Sequence, residues 1–98
     1  MSVMDQKFKD DWVKALRSGE FEQCRDDLAD GYRFCCIGVG YQVSGRDCDE
    51  ISEEDDPTAK AASTLGLPND ITDRLIAMND KEKMSFSEIA DYIEREIQ

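Results

Sequence analysis

Histidine and cysteine decide most of the chemistry open to this chain: it has no histidine and four cysteines. Without histidine it lacks the side chain that most often serves as a general base and as a zinc ligand near neutral pH. Cys24, Cys35, Cys36 and Cys48 do not follow Cys-x-x-Cys spacing, and the adjacent thiols of Cys35 and Cys36 would have to point in different directions to ligate together. A disulfide between neighbours is strained, so the expectation is four thiols buried as small apolar groups, with no bridge and no metal. Asp47-x-Asp49 faintly resembles the start of a calcium loop, yet Ile51 and Ser52 stand where that loop needs its fifth residue and its glycine. Gly38-Val39-Gly40 is followed by neither a third glycine nor Gly-Lys-Ser, so it reads as close packing rather than a phosphate cradle. The neighbouring carboxylates Asp10 and Asp11 fit a solvated helix face better than paired acid–base work. The chain is therefore expected to be no enzyme and to carry no cofactor.

One feature rises above these readings. The formal net charge is −11, and it is unevenly placed. Residues 1–46 hold eight acids and seven bases, and residues 57–98 hold eight acids and five bases. The ten residues Asp47-Cys-Asp-Glu-Ile-Ser-Glu-Glu-Asp-Asp56 hold seven acids and no base. This balance disfavours direct contact with nucleic acid, whose phosphates need clustered lysine and arginine. It favours a basic partner, a protein surface of the kind that holds nucleic acid, with Asp47, Asp49, Glu50, Glu53, Glu54, Asp55 and Asp56 as candidate partner-binding residues. The plainer alternative is a solvated loop that confers solubility. A nucleotide-binding sponge would instead need converging basic groups, for which Arg33, Arg46 and Arg74 are the nominees.

The elements that must position these residues read as a single domain over 1–98 with an acidic loop at 44–56. The fold class is mainly α, with four to five helices and at most a minor short-stranded sheet. Phe8, Trp12, Val13 and Leu16 put a helix over Met4–Ser18, with Lys7, Lys9, Asp10, Asp11 and Lys14 on its polar side and Gly19 at its end. Phe21, Cys24 and Leu28 suggest a weak second helix over Glu20–Ala29, stopped by Asp30-Gly31. Tyr32–Val43 reads as a short strand leading into a buried helix. The loop 44–56 is expected to be extended, giving the core at most Ile51. Pro57 should open a helix through Ala59, Ala61, Ala62 and Leu65 that Gly66 stops. Pro68-Asn69-Asp70 should cap a helix carrying Ile71, Leu75, Ile76 and Met78, and Ser85-Phe86-Ser87-Glu88 has the capping-box pattern before Phe86, Ile89, Ala90, Ile93 and Ile97. The expected core is Phe8, Trp12, Leu16, Phe34, Ile37, Val39, Leu75, Met78, Phe86, Ile89 and Ile93. No run is apolar enough for a membrane span and the first residues do not resemble a signal peptide, so a cytoplasmic location is expected.

Three blocks carry a resemblance: Asp11-Trp12-Val13-Lys14-Ala15-Leu16-Arg17-Ser18-Gly19, Tyr32-Arg33-Phe34-Cys35-Cys36-Ile37-Gly38-Val39, and Ala77-Met78-Asn79-Asp80 leading to Ser85-Phe86-Ser87-Glu88-Ile89-Ala90-Asp91-Tyr92-Ile93-Glu94. In this order they resemble a family of small uncharacterised phage and prophage proteins. Where that pattern has Leu-Cys after the paired cysteines, this chain has Gly40-Tyr41. The resemblance implies a non-catalytic accessory protein acting in the bacterial host cell, an anti-CRISPR-like inhibitor of a host defence complex. Sequestration of a nucleotide immune signal, or a phage interaction module with no inhibitory role, are the alternatives it leaves.

Overall fold

The structure, a computed structural model, describes residues 6–97. Among them the chain forms five α-helices, one 3-10 turn and a three-stranded sheet of two-residue strands. The helices are α1 (Gln6–Ser18), α2 (Cys36–Val43), α3 (Pro57–Thr64), α4 (Asn69–Asp80) and α5 (Phe86–Glu96). The strands are β1 (Glu22–Gln23), β2 (Ala29–Asp30) and β3 (Arg33–Phe34), and the 3-10 turn spans Cys48–Ile51. The mainly α fold with a minor sheet is thus the one expected.

The centre of the molecule is α2. Its residues Cys36 to Tyr41 are all buried, and α1, α3, α4, β3 and the 3-10 turn pack around it. A helix this apolar needs neighbours on every side, which explains why its sequence shows no amphipathic period. Two glycines set the packing distances. A Cβ on Gly40 would stand 3.0 Å from the Trp12 ring, and one on Gly38 would stand 2.4 Å from the Leu28 carbonyl oxygen. At both positions the missing side chain lets another element approach the helix backbone directly.

Trp12 is fully buried, and its indole N–H donates to the Cys36 carbonyl at 2.9 Å, tying α1 to the start of α2. On its other side α1 packs against α5, whose Ile89, Ala90 and Ile93 are completely enclosed. The Ser85–Glu88 capping box forms as its pattern predicts: the Ser85 hydroxyl accepts from the Glu88 N–H, and the Glu88 carboxylate accepts from the Ser85 N–H. Gly19 and Gly66 end α1 and α3 at positive φ. The start expected at Met4 lies outside the described residues.

Several expectations are corrected. Glu20–Ala29 is not a helix: β1 and β2 occupy its ends, and Asp26 between them has φ +71°. Phe21, Cys24 and Leu28 mimic helical spacing, yet strand pairing engages the backbone. β3 lies at the sheet's centre, parallel to β1 and antiparallel to β2, with Arg33 opposite both Glu22 and Asp30. Phe8 and Phe34 are only half-buried, packed against the edge of the core. Lys9, assigned to the polar face, is buried along its stem and reaches the Glu94 carbonyl at 3.4 Å. Nothing in the Pro68–Asp70 segment supplies a side-chain cap to α4; Pro68 occupies that position, and its carbonyl instead accepts from the Thr72 N–H and hydroxyl. No helix among the described residues is long and apolar enough to cross a membrane.

Candidate functional site: an acidic cleft

The acidic segment is folded rather than extended. Cys48 and Ile51, three residues apart in a 3-10 turn, share one side and are both buried. The Cys48 thiol donates to the Gly38 carbonyl at 3.6 Å, and its N–H donates to the Gln42 side-chain oxygen at 2.8 Å, so the turn is pinned to α2. With the apolar pair inward, all seven candidate carboxylates are exposed.

They divide by what they do locally. Asp47 and Glu50 form a capping box around the turn: the Asp47 carboxylate accepts from the Asp49 N–H at 3.0 Å, and the Glu50 carboxylate accepts from the Asp47 N–H at 3.3 Å. Asp56 caps α3 by accepting from the Ala59 N–H at 3.1 Å. These three offset unpaired amides at helix starts. Asp49, Glu53, Glu54 and Asp55 have no side-chain hydrogen bond or ion pair among the described residues. They are free to act on something else.

The fold adds two acids that sequence reasoning missed. A cleft of about 360 Å³ is bounded on one side by Asp49, Asp55 and Asp56 and on the other by Asp26 and Asp27, and no basic side chain lines it. Asp26 and Asp27 are brought there by Asn79 and Asp80. Asn79 is fully buried; its amide nitrogen donates to the Cys24 carbonyl at 2.9 Å, and its oxygen accepts from the Gln23 amide at 2.9 Å and the Cys36 N–H at 3.3 Å. Asp80 accepts from the Asp26 N–H at 2.9 Å. The link between Asn79-Asp80 and residues 23–26 thus fixes the segment that carries the far wall of the cleft. The one sequence signal is the polar pair Asn79-Asp80 at the end of the apolar stripe of α4, which reads more simply as a helix end.

Other nominated residues do not come together. Arg33 pairs with Asp30 at 2.6 Å, Arg74 pairs with Glu82, and Arg46 donates to the Ser44 hydroxyl at 3.2 Å. None of the three arginines lines the acidic cleft. Asp10 accepts from Gln6 and Asp11 pairs with Lys7, both one helical turn away on the surface of α1. No group of three or more cysteine or carboxylate side chains among the described residues is placed to hold a metal ion.

The four cysteines are buried and none forms a disulfide. Burial pushes the Cys35 thiol up to about 12, against the opposing pull of the Gly38 and Ile37 amides. Burial, reinforced by Asp47 and Asp49, raises Cys48 to about 12, and burial holds Cys36 well above the ordinary thiol value. Thiols held neutral in this way are poor nucleophiles. Cys35 has a structural task instead: its sulfur accepts from the Gly38 N–H at 3.4 Å, capping α2.

Residues 4–50 match a family described as a domain of unknown function (DUF8296). The matched stretch runs from α1 through α2 into the 3-10 turn, and so contains Asp26, Asp27 and Asp49 but neither Asp55 nor Asp56. No curated protein and no solved structure matches the chain.

Proposed function

We propose that this protein is a non-catalytic binding module whose acidic face docks on a lysine- and arginine-rich protein surface. The partner is a nucleic-acid-binding complex of a bacterial host's defence, which the module inhibits from within the cytoplasm by occupying the phosphate-binding surface. The observation that carries this reading is the convergence of Asp26 and Asp27 with Asp49, Asp55 and Asp56 around one cleft that no base lines. Carboxylates from two segments of the chain repel one another when brought together. A fold that brings them together through a buried hydrogen-bonded link gains by it when a cationic surface neutralises them. The identity of the partner as a defence complex rests on the sequence resemblance. The nucleotide-sponge reading has no comparable support, since its three arginines are held apart by separate neighbours.

The test uses a variant with Asp49→Asn, Glu53→Gln, Glu54→Gln and Asp55→Asn, which spares the capping residues Asp47, Glu50 and Asp56. Native protein and variant are expressed in bacteria carrying a CRISPR defence, and plating of a targeted phage is scored. Protection of the phage by the native protein and its loss in the variant is the expected result. Equal protection by both would reduce the acidic loop to a solubilising segment. No protection by either would remove defence inhibition.

A further inference from the structure

We propose that the groove between α3 and α4 is the apolar half of the same docking surface, taking a bulky apolar side chain from a partner segment flanked by lysine or arginine. This rests on reading the acidic face as a docking surface, and it names what the partner must carry besides charge. The groove encloses about 510 Å³, and its apolar lining includes Ala62 and Leu67, both buried, and the half-buried Ile76. It stays open because the outward positions of α3 that border it, Ala59 and Ser63, are one helical turn apart and both short. Gly66, at φ +78°, turns the chain so that the Leu67 N–H donates back to the Ala62 carbonyl at 3.0 Å, which places Leu67 beneath the groove.

Charge selects the occupant. The groove is lined by two carboxylates, Asp56 and Asp73, and by no base. Asp56 also lines the acidic cleft, so the apolar groove and the cleft form one continuous surface on either side of the start of α3. Nucleic acid and anionic membranes are repelled there, and a second copy of a chain with net charge −11 is disfavoured. A partner segment that alternates cationic and apolar side chains satisfies both halves at once. It places its cations against Asp26, Asp27, Asp49 and Asp55, and its apolar side chain between α3 and α4. Apolar contact next to charge is the usual division of labour in an interface, where the enclosed anchor holds and the charged rim steers.

Two synthetic peptides of equal length and equal positive charge serve as probes, one carrying leucines at helical spacing among its lysines and the other serines in their place. Binding to the native protein is measured by fluorescence anisotropy at physiological salt. The leucine peptide is expected to bind tighter by on the order of tenfold, the factor that about 1.4 kcal/mol represents. Ala59→Trp should abolish that advantage and leave the serine peptide unaffected. Ser63→Phe fills the groove from the next turn and should read the same way, with far-ultraviolet circular dichroism confirming that both variants are folded. Equal affinity for the two peptides, or a leucine advantage that survives both substitutions, overturns the groove while leaving the acidic face standing. Failure of both peptides to bind removes the acidic-face reading and the groove with it. Self-association of the native protein that Ala59→Trp abolishes would put a second copy in the groove and overturn the proposal.

Discussion

Replacing Trp12 by alanine removes the largest fully enclosed side chain of the core and the only indole in the chain. Three losses coincide. The ring's burial and the cavity left behind cost about 3–5 kcal/mol for a fully enclosed aromatic. The N–H that meets the Cys36 carbonyl disappears, worth about 1 kcal/mol net and not fully additive with the first loss. The third loss is the stacked contact with Phe8, with ring centroids 5.7 Å apart. A domain of this size has a total stability of about 5–15 kcal/mol, so the substitution should consume a large share of it. The expected fall in Tm exceeds about 12 °C, taking about 4 °C per kcal/mol as the lower conversion for a domain of this length. Thermal and urea unfolding followed by far-ultraviolet circular dichroism measure it without needing the lost fluorophore. Trp12→Phe, which keeps an aromatic ring but not the donor, should cost markedly less. An unchanged midpoint for Trp12→Ala would refute the central place given to the α1–α2 contact. Equal losses in the two variants would move the energy from ring packing to the single hydrogen bond.

Asn79→Leu is isosteric enough to fill its site but strands the Cys24 carbonyl and the Cys36 N–H, so a loss of about 2–4 kcal/mol is expected in denaturant titration; stability equal to the native protein would show the link to be dispensable. Gly38→Ala presses a methyl onto the Leu28 carbonyl oxygen and should destabilise by about 1–3 kcal/mol, whereas a stabilised variant would mean that the backbone at Leu28 yields without cost. The buried thiols give a pH dependence of definite sign: Cys35 and Cys48 keep their protons in the fold up to about 12 but lose them from 9.0 upward when unfolded. Their contribution is complete below pH 9.0 and is lost as pH rises toward about 12, so midpoints that hold constant across that range would contradict it. Intact mass measured under native conditions should equal that of four reduced thiols with no metal; a mass lacking the hydrogens of a disulfide, or one raised by zinc, would overturn the reading of the cysteines.

What the sequence made legible follows the strength of local signals. α1, α3 and α5 are readable because an apolar stripe coincides with a cap or a terminating glycine. The segment from Glu20 to Ala29 was misread because strands of two residues are too short to display alternation. The strand read after Tyr32 is its parallel partner, but the β1–β3 pairing itself leaves no local trace in the segment. The acidic loop illustrates a second limit. Carboxylate density signals an exposed surface, which is what the seven side chains form, but it conceals Cys48, which together with Ile51, the one core residue the loop offers in sequence, pins the loop down. It also conceals that Asp47, Glu50 and Asp56 serve as caps. Replacing those three by alanine would therefore lose cap energy of about 0.5–2 kcal/mol per site as well as charge. Asp26 and Asp27 could not be assigned to the cleft from sequence, since their place depends on the Asn79–Asp80 link between distant segments.

If the acidic face attracts a basic surface, the rate of association is where the attraction shows first. Stopped-flow mixing with a fluorescent lysine-rich peptide, repeated from low to high salt, compares the native protein with the variant carrying Asp49→Asn, Glu53→Gln, Glu54→Gln and Asp55→Asn. Electrostatic steering accelerates encounter by about 10–1,000-fold and fades once the Debye length falls below the approach distance, about 10 Å at 0.1 M salt and 3 Å at 1 M. The native protein should therefore associate on the order of tenfold faster than the variant at low salt, with the two rates converging as salt rises. Rates that coincide at every salt concentration, in two equally folded proteins, would contradict the claim.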